Sequence, residues 1–211
     1  MSKKLLIILF VSIFCGIIFS QNIRQLNDIE KQIIEQKIVA QSTKIETLQC
    51  DFSQEKTSTL ISEKAEARGV LLYQTPSKLR WEYNTPTPST LILNGNNALL
   101  LDKNGQKTGD ERMVKQLGAI IISMINGSGI TQNKQFSAEY FEIDNSLLLI
   151  VLTPVQKRLK DFYNTIEVKI DINTMLANNI ILNEKTGDKM IISLKNIVLN
   201  SEISQNKFNV Q

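Results

Sequence analysis

The chain has 211 residues, with 24 Lys and Arg against 21 Asp and Glu, and it contains no histidine. The absence of histidine removes the commonest general base and the commonest ligand of transition metals. The charges are scattered and nearly balanced, whereas a nucleic-acid groove needs clustered Lys and Arg. Composition therefore argues against nucleic-acid binding and against most hydrolytic or metal-dependent chemistry.

Residues 1–20 have the pattern of a secretory signal peptide. Two lysines precede an apolar run over residues 5–19, and small Ser20 follows it. The run is shorter than the roughly 18 to 20 residues of a membrane-spanning helix, so a retained anchor is the less favoured alternative. A lipoprotein signal is disfavoured because Cys15 follows a large residue, Phe14. We expect cleavage after Ser20 and export of a soluble mature protein.

The remaining chain, residues 21–211, is expected to form one domain, because no Gly/Ser-rich linker divides it. It keeps a single cysteine, Cys50, so an intramolecular disulfide is impossible. Cys50 alternates with Leu48 and Phe52 in a predicted strand. This position favours a buried structural thiol over a reactive one.

The segment from Asn22 to about Lys44 predicts an amphipathic helix, because its apolar residues recur at spacings of three and four. Such a helix either closes a core against a sheet or forms a lid over a binding surface. The segment by itself favours the first. Its apolar stripe comprises Ile23, Leu26, Ile29, Ile33, Ile34 and Ile38.

Strands with one apolar and one polar face are predicted next, beginning near Leu48 and near Ala65. The segment Arg68–Gly95 is then predicted to form three strands, with most of the aromatic residues on one face and prolines at the corners. Asn94-Gly95 is a hairpin signal, and a short polar strand is expected near Gln106 to Thr108. Short connections throughout indicate antiparallel neighbours.

A second helix is predicted from Asp110, its N-cap, to about Ile125. A glycine-rich stop follows at residues 126–129. The helix is apolar over more than half of its circumference, which exceeds what one buried face requires. It should therefore touch apolar material on two sides or cover a cavity.

Five further strands complete an α+β pattern of about ten strands and two helices. They are expected at Phe136 to Ile143, Ser146 to Thr153, Phe162 to Ile172, Leu176 to Asn183 and Lys189 to Leu199.

Motifs in this order resemble the periplasmic outer-membrane lipoprotein carrier family, the LolA-like proteins. The resemblance implies a single-domain half-open antiparallel β-barrel of about 10 to 11 strands, with helices covering its concave face. It spans nearly the whole mature chain. The motifs are Asp51-Phe52-Ser53-Gln54-Glu55-Lys56, Gly69-Val70-Leu71, Pro76-Ser77-Lys78-Leu79-Arg80-Trp81-Glu82-Tyr83, Pro86, Leu91-Ile92-Leu93-Asn94-Gly95 and Leu152-Thr153-Pro154.

The function implied by the resemblance is carriage of lipoprotein acyl chains in an apolar cavity. The implied partners are lipoproteins, an inner-membrane ABC transporter that supplies them and an outer-membrane acceptor that receives them. No enzyme activity, catalytic residue, cofactor or metal is expected, and the protein is expected to be a monomer. The alternative is a periplasmic binder or transporter of another lipid or glycolipid on the same fold.

Two sets of residues are predicted to form the site. The cavity wall is predicted to comprise Phe52, Leu71, Tyr73, Leu79, Trp81, Tyr83, Leu91 and Leu93. The lid is predicted to comprise Met113, Leu117, Ile121 and Met124. For the wall residues, ordinary core packing is an equally open interpretation.

Two departures from the family pattern bear on function. Thr75 stands where family members often carry an Arg that helps to hold the lid closed, and the chain has little sequence beyond a strand expected to end near Phe208. Other classes also remain open. A scaffold that holds another protein's helix predicts a fully packed interface without a cavity, and a hydrolase would need a nucleophile and base that the sequence does not offer.

Overall fold

The computed structural model describes residues 22–59, 64–125, 127, 130 and 134–209, without the side chains of Met113, Gln116 and Leu117. The predicted signal peptide, residues 1–20, lies outside the described residues, as does part of the predicted glycine-rich stop. No helix among the described residues has the length and apolar character needed to cross a membrane.

Eleven strands lie in the described part of the chain. They are β1 Ile23–Gln25, β2 Thr47–Thr57, β3 Lys64–Gln74, β4 Lys78–Thr85, β5 Ser89–Asn94, β6 Asn97–Leu101, β7 Phe136–Ile143, β8 Leu147–Pro154, β9 Tyr163–Asp171, β10 Ala177–Glu184 and β11 Lys189–Leu199. The helices are α1 Asp28–Ser42, α2 Glu111–Ile125 and α3 Lys157–Lys160, and a 3-10 turn spans Gln205–Phe208.

All the strands belong to one antiparallel sheet with the order β1-β7-β8-β9-β10-β11-β2-β3-β4-β5-β6. Its outermost strands, β1 and β6, do not pair with each other, so the sheet stays open. The prediction of a half-open antiparallel barrel with helices on one face is confirmed. The core lies between that face and the helices α1 and α2.

The start of α1 differs from the prediction. Residues 23–25 form the edge strand β1, which pairs with β7 through Arg24 and Glu142. The helix begins only after Asn27, whose Oδ1 accepts hydrogen bonds at 3.0 Å from the N–H groups of Ile29 and Glu30. Glu30 Oε2 accepts a hydrogen bond from the Asn27 N–H at 2.9 Å, which completes a capping box. The capping box therefore fixes a helix start later in the chain than expected.

The apolar stripe predicted for this helix is only partly buried. Ile34 and Ile38 are buried in the core, whereas Ile29 is 71% exposed and Ile33 is 47% exposed. Ile23 is also exposed, because it lies in β1 and not in the helix. The spacing correctly identified an apolar face of α1, but only one side of that face packs against the sheet.

The second helix matches its prediction closely. It begins at Glu111, and the Arg112 N–H donates to Asp110 Oδ1 at 2.7 Å. The short polar strand expected near Gln106 to Thr108 is reduced to one bridge between Leu101 and Lys107.

Strand β11 spans Lys189–Leu199, as predicted. The C-terminal segment then crosses the convex face of the sheet, and the region near Phe208, where the family pattern implied the end of a strand, forms the 3-10 turn Gln205–Phe208. Phe208 is completely buried and packs with Ile203 against Leu72 and Val70, which point away from the concave face. Asn94 Nδ2 donates to the Phe208 carbonyl at 3.2 Å.

Candidate functional site

The predicted wall residues share the concave face of four adjacent strands. Strand register places Cys50 of β2 opposite Leu71, Leu71 opposite Trp81, and Trp81 opposite Leu91. Seven of the eight wall residues are buried, none more than 8% exposed, and Tyr83 is half-buried. The structure therefore brings the whole predicted wall together under the helices.

An aromatic cluster forms the centre of this wall. The Phe52 ring lies 4.5 Å from the Trp81 ring and 5.1 Å, edge to face, from the Tyr83 ring, between centroids. Phe52 reaches this position by folding over Gly69, where a Cβ atom would stand 2.7 Å from the ring and would also collide with the Glu82 carbonyl oxygen. Gly69 is thus required for the close approach of the backbone and the aromatic ring.

Helix α2 packs directly against the wall at a glycine residue. A Cβ atom at Gly118 would be 3.2 Å from Cδ2 of Leu93 on β5. On its other side, Met124 is buried beside Ile38 of α1 and Ile170 of β9, where the remaining space is only about 10 Å³. That volume holds about one water molecule, so this part of the interface is closed. The expectation that α2 touches apolar material on two sides is confirmed.

The predicted lid residues lie on this helix. Met124 is buried and Ile121 is half-buried, whereas the side chains of Met113 and Leu117 lie outside the described part of the structure. A second stripe of this helix is also buried and comprises Val114, Gly118 and Ile122, which recur every four residues.

Helix α1 is attached to the opposite half of the sheet through polar contacts. The Tyr140 hydroxyl of β7 donates to Glu35 Oε1 at 2.8 Å, and Lys31 Nζ stands 5.3 Å from the Tyr140 ring centroid. Burial and the neighbouring Glu35 carboxylate raise the pKa of Tyr140 well above its ordinary value. The hydroxyl therefore stays a hydrogen-bond donor throughout the physiological pH range.

Burial decreases toward one end of the concave face. Along β2, Phe52 is buried but Gln54 and Lys56 are only half-buried. On β10 and β11, Ile180 and Ile192 are buried, whereas the next inward-facing residues, Leu182 and Met190, are half-buried. We call this end the mouth and define it by Gln54, Tyr83, Leu182 and Met190.

The mouth combines apolar side chains with a few polar groups. The Tyr83 hydroxyl donates to Gln54 Oε1 at 2.9 Å. Burial raises the pKa of Tyr83, and the polar interaction of the Trp81 indole N–H with the hydroxyl opposes part of that rise. Lys56 Nζ lies 3.2 Å from Glu184 and 3.8 Å from Asp188. The backbone N–H of Thr59 is the main cause of the lowered pKa of Asp188, and Ser58 and Lys56 add to it.

A cavity of about 330 Å³ lies between α2 and the β8–β9 connection that contains α3. We call it the lateral cavity; its lining residues are Ala119, Ile120, Ser123, Gln135, Gln156, Arg158 and Leu159. Two larger depressions, of about 540 and 710 Å³, are lined mainly by polar side chains, although the smaller of these two includes Phe52 of the wall and Gln54 of the mouth. Volume alone is therefore a poor guide to an apolar site in this protein.

Cys50 is buried in the wall, as predicted for a structural thiol. Burial, with a smaller contribution from Asp51, raises its pKa to about 12. Within the described residues, no group of three or more His, Cys, Asp or Glu side chains is placed to hold a metal ion.

Thr75 lies in the exposed turn between β3 and β4, where its N–H donates to the Glu46 carbonyl at 2.9 Å. The helix over the wall is held through apolar contacts such as Gly118 with Leu93. Sequence reasoning did not select Gly118, Leu182 or Met190. For Met190, the signal available in the sequence was its alternation with Ile192 and Leu194, which places all three on one face of β11.

An open antiparallel sheet with an apolar concave face under two helices defines an α+β protein of the open-barrel class. Residues 43–211 match the family model for the outer membrane lipoprotein carrier protein LolA. The match covers well over half of the sequence, and the chain belongs to this family. The comparison with curated proteins gives no match.

Several solved structures are similar to this chain. An uncharacterized conserved protein from Thermus thermophilus has a TM-score of 0.51 at 9% identity, over 85% of this chain and 92% of that chain. A LolA superfamily protein from Nitrosomonas europaea has a TM-score of 0.45 at 10% identity, over 83% and 97%. The Pseudomonas aeruginosa MucA/MucB complex has a TM-score of 0.47 at 8% identity, over 84% and 60%. At 9% identity, the likeness to the Thermus thermophilus protein supports a shared fold and nothing finer.

Proposed function

We propose that the mature chain, residues 21–211 after removal of residues 1–20, is a periplasmic carrier of lipoproteins. It binds their acyl chains on the concave face and moves them from the inner to the outer membrane. One observation carries the proposal. The apolar wall is buried under α1 and α2 but becomes half-exposed at the mouth, where a chain has access to it.

The physical need for such a carrier follows from the cost of exposing acyl chains to water. Each buried methylene is worth about 0.8 kcal/mol, so an exposed chain of roughly 16 carbons costs on the order of 10 kcal/mol. A carrier must offset most of this cost and still release its cargo. Its empty site must also be covered, because a large exposed apolar surface promotes aggregation.

The same side chains serve both states in this proposal. In the closed structure the wall residues pack as core beneath α2, with Leu93 against Gly118. When cargo enters, its methylenes replace the contacts of the lid residues Met113, Leu117, Ile121 and Met124. Core packing and cavity lining are then two states of one surface.

The partners implied by this function are an inner-membrane ABC transporter that supplies the lipoprotein and an outer-membrane acceptor that receives it. The carrier acts between them as a monomer without a cofactor. Membrane vesicles that contain the transporter and an acylated lipoprotein provide the direct test. With ATP, the mature protein should release the lipoprotein into the soluble fraction as a one-to-one complex. A form of the lipoprotein that lacks the acyl chains is the control, and its appearance in the soluble fraction should not depend on the carrier.

A matched pair of lid variants tests the site itself. Ile121→Glu places a charge on a half-buried position of α2, whereas Ala119→Glu places the same charge on an exposed position of the same helix. Binding of a fluorescent acylated peptide should weaken at least tenfold in Ile121→Glu and change little in Ala119→Glu. Equal binding by both variants and the wild type would rule out the concave face as the acyl site.

A second candidate is a carrier of another lipid or of a glycolipid. The lateral cavity favours it, because about 330 Å³ is at the small-ligand end of the usual range for binding pockets. Mass spectrometry of the lipids that co-purify with the mature protein separates the two functions. A free lipid or glycolipid, together with weaker binding in Ala119→Glu, would favour this candidate.

A protein-binding scaffold is the third interpretation, since the closed contact between α1 and α2 leaves only about 10 Å³. The half-buried apolar residues of the mouth count against it, because a scaffold has no need of an entrance to its core. Its signature would be a stoichiometric complex with a protein that carries no lipid.

A further inference from the structure

The concave wall contains a hydrogen-bond donor that the fold does not use. Trp81 is 3% exposed, and within the described residues its Nε1 atom has no hydrogen-bond partner. Its polar neighbour is the Tyr83 hydroxyl, whose pKa is raised by burial and lowered in part by the Trp81 side chain. The two groups do not meet hydrogen-bond geometry, and that hydroxyl donates its own hydrogen to Gln54 Oε1 at 2.9 Å. Buried N–H groups in native proteins nearly always have partners, and an unpaired one in a well-packed wall calls for an explanation.

The position of this donor within the wall is informative. Trp81 lies opposite Leu71 on one side and Leu91 on the other, two residues further from the mouth than Tyr83. It is the first fully buried residue that faces inward along β4, beyond the half-buried Tyr83. A ligand that accepted a hydrogen bond from this donor would have its apolar portion over the buried wall and its polar portion at the mouth.

This arrangement matches the chemistry of an acyl group. In an ester or amide of a fatty acid, a carbonyl oxygen stands at the junction between the alkyl chain and the polar part of the molecule. The oxygen accepts hydrogen bonds and donates none, which is what a lone indole N–H requires.

We propose that the Trp81 N–H recognises the carbonyl oxygen of an ester- or amide-linked acyl chain. The proposal rests on the proposed function, since it takes the concave face as the acyl site, and it adds that the site selects acyl compounds over alkyl compounds of equal length. Trp81 thereby sets the depth to which the cargo enters. The alkyl chain lies over Leu71 and Leu79, and the head group stays near Gln54 and Tyr83.

A pair of single-chain lipids isolates the carbonyl. Palmitoyl lysophosphatidylglycerol has an ester carbonyl, and hexadecyl lysophosphatidylglycerol replaces it with an ether while keeping the head group and chain length. Titration calorimetry with the mature protein below the micelle concentration should show roughly threefold to tenfold tighter binding of the ester, the effect of one hydrogen bond. In Trp81→Phe this preference should disappear, with the ether bound within about twofold of wild type.

Tyr83→Phe is the matched control, because it removes a neighbouring polar group and keeps the indole N–H. It should retain the preference for the ester. If Trp81→Phe retains the preference, or if the wild type binds both lipids equally, the proposed role of Trp81 is wrong while acyl carriage stands. If the wild type binds neither lipid, nor the fluorescent acylated peptide, the proposed function fails and the recognition of the carbonyl fails with it.

Discussion

Gly118 of α2 lies so close to Leu93 of β5 that a Cβ atom at position 118 would be 3.2 Å from Leu93 Cδ2. A glycine inside a helix costs about 1 kcal/mol relative to alanine, so its presence here has a structural reason. It lets the helix backbone approach the apolar wall, and the wall is buried as a result. Helix α2, the proposed lid, is therefore held at this contact by the close fit of two surfaces.

Enlarging this residue should open the lid. Gly118→Leu forces α2 away from β5, and overpacking of this kind typically costs about 1 to 3 kcal/mol. The rate at which a thiol reagent labels the buried Cys50 reports the opening. We expect labelling to accelerate about tenfold or more, because the closed state loses stability relative to the open one.

Gly118→Ala is the control for this variant. Its methyl group meets the flexible end of Leu93, and the gain in helix propensity offsets the contact. Its labelling rate should stay within about threefold of wild type. Urea unfolding of both variants must accompany the experiment, since an acceleration fully explained by lower global stability would contradict a lid that opens separately.

A second prediction concerns Gly69. Gly69→Ala brings a methyl group against the Phe52 ring and the Glu82 carbonyl oxygen. The backbone cannot yield without disturbing the pairing of β3 with β4, so the free energy of unfolding should fall by about 1 to 3 kcal/mol. Denaturation followed by Trp81 fluorescence measures the loss. Ala65→Val, on the exposed end of the same strand, should change stability by less than about 0.5 kcal/mol.

The strands and their faces were predictable because strand alternation and short turns are local properties of a sequence. Trp81 and Tyr83 alternate with charged residues, and the structure puts them on the concave face as expected. The same alternation correctly predicted that Ile166 and Val168 of β9 lie on the buried face of the strand and their polar neighbours on the other face. The carrier-like architecture follows from these faces together with the apolar helix α2.

Features that depend on distant parts of the chain were not predictable in this way. Arg24 of β1 donates a hydrogen bond to Glu142, which is 118 residues away in the sequence, and no local sequence pattern predicts that contact. Periodicity showed that Ile29 belongs to an apolar stripe but not that this residue would remain exposed while Ile34 and Ile38 are buried. No local pattern selects Gly118, because its role depends on a contact with Leu93 of another element.

The raised pKa of Cys50 predicts a dependence of stability on pH. The thiol titrates at about 12 in the folded protein, but at about 8.5 in the unfolded chain. Between these values the unfolded state has lost a proton that the folded state retains, so the free energy of unfolding falls as pH rises, by up to about 1.4 kcal/mol per pH unit. Below about pH 8 both states are protonated and the contribution is constant.

Cys50→Ala removes this contribution and keeps the other titrating groups, including Tyr140. Urea unfolding at pH 7.5 and pH 10 under reducing conditions gives the comparison. The wild type should lose about 2 kcal/mol more than Cys50→Ala over this interval. Parallel losses in the two proteins would show that the thiol is solvated or ionised in the folded state.

The final prediction tests whether packing on the convex face of the sheet is independent of acyl binding at the proposed site on the concave face. Phe208 is completely buried against Leu72, on the side of the sheet opposite the wall. Phe208→Ala should lower the free energy of unfolding by about 3 to 5 kcal/mol, as expected for loss of a large buried aromatic side chain. Urea unfolding measures the change, and Val198→Ala, at a position that is 52% exposed, serves as the control.

Folded Phe208→Ala protein should nevertheless bind the acylated peptide within about twofold of wild type, because the concave wall keeps all of its residues. Binding is measured at low temperature, where the variant remains folded, and circular dichroism establishes the folded fraction. A large loss of affinity per folded molecule would mean that the C-terminal segment on the convex face and the concave wall are coupled through the sheet. The wall could not then be treated as an independent binding surface.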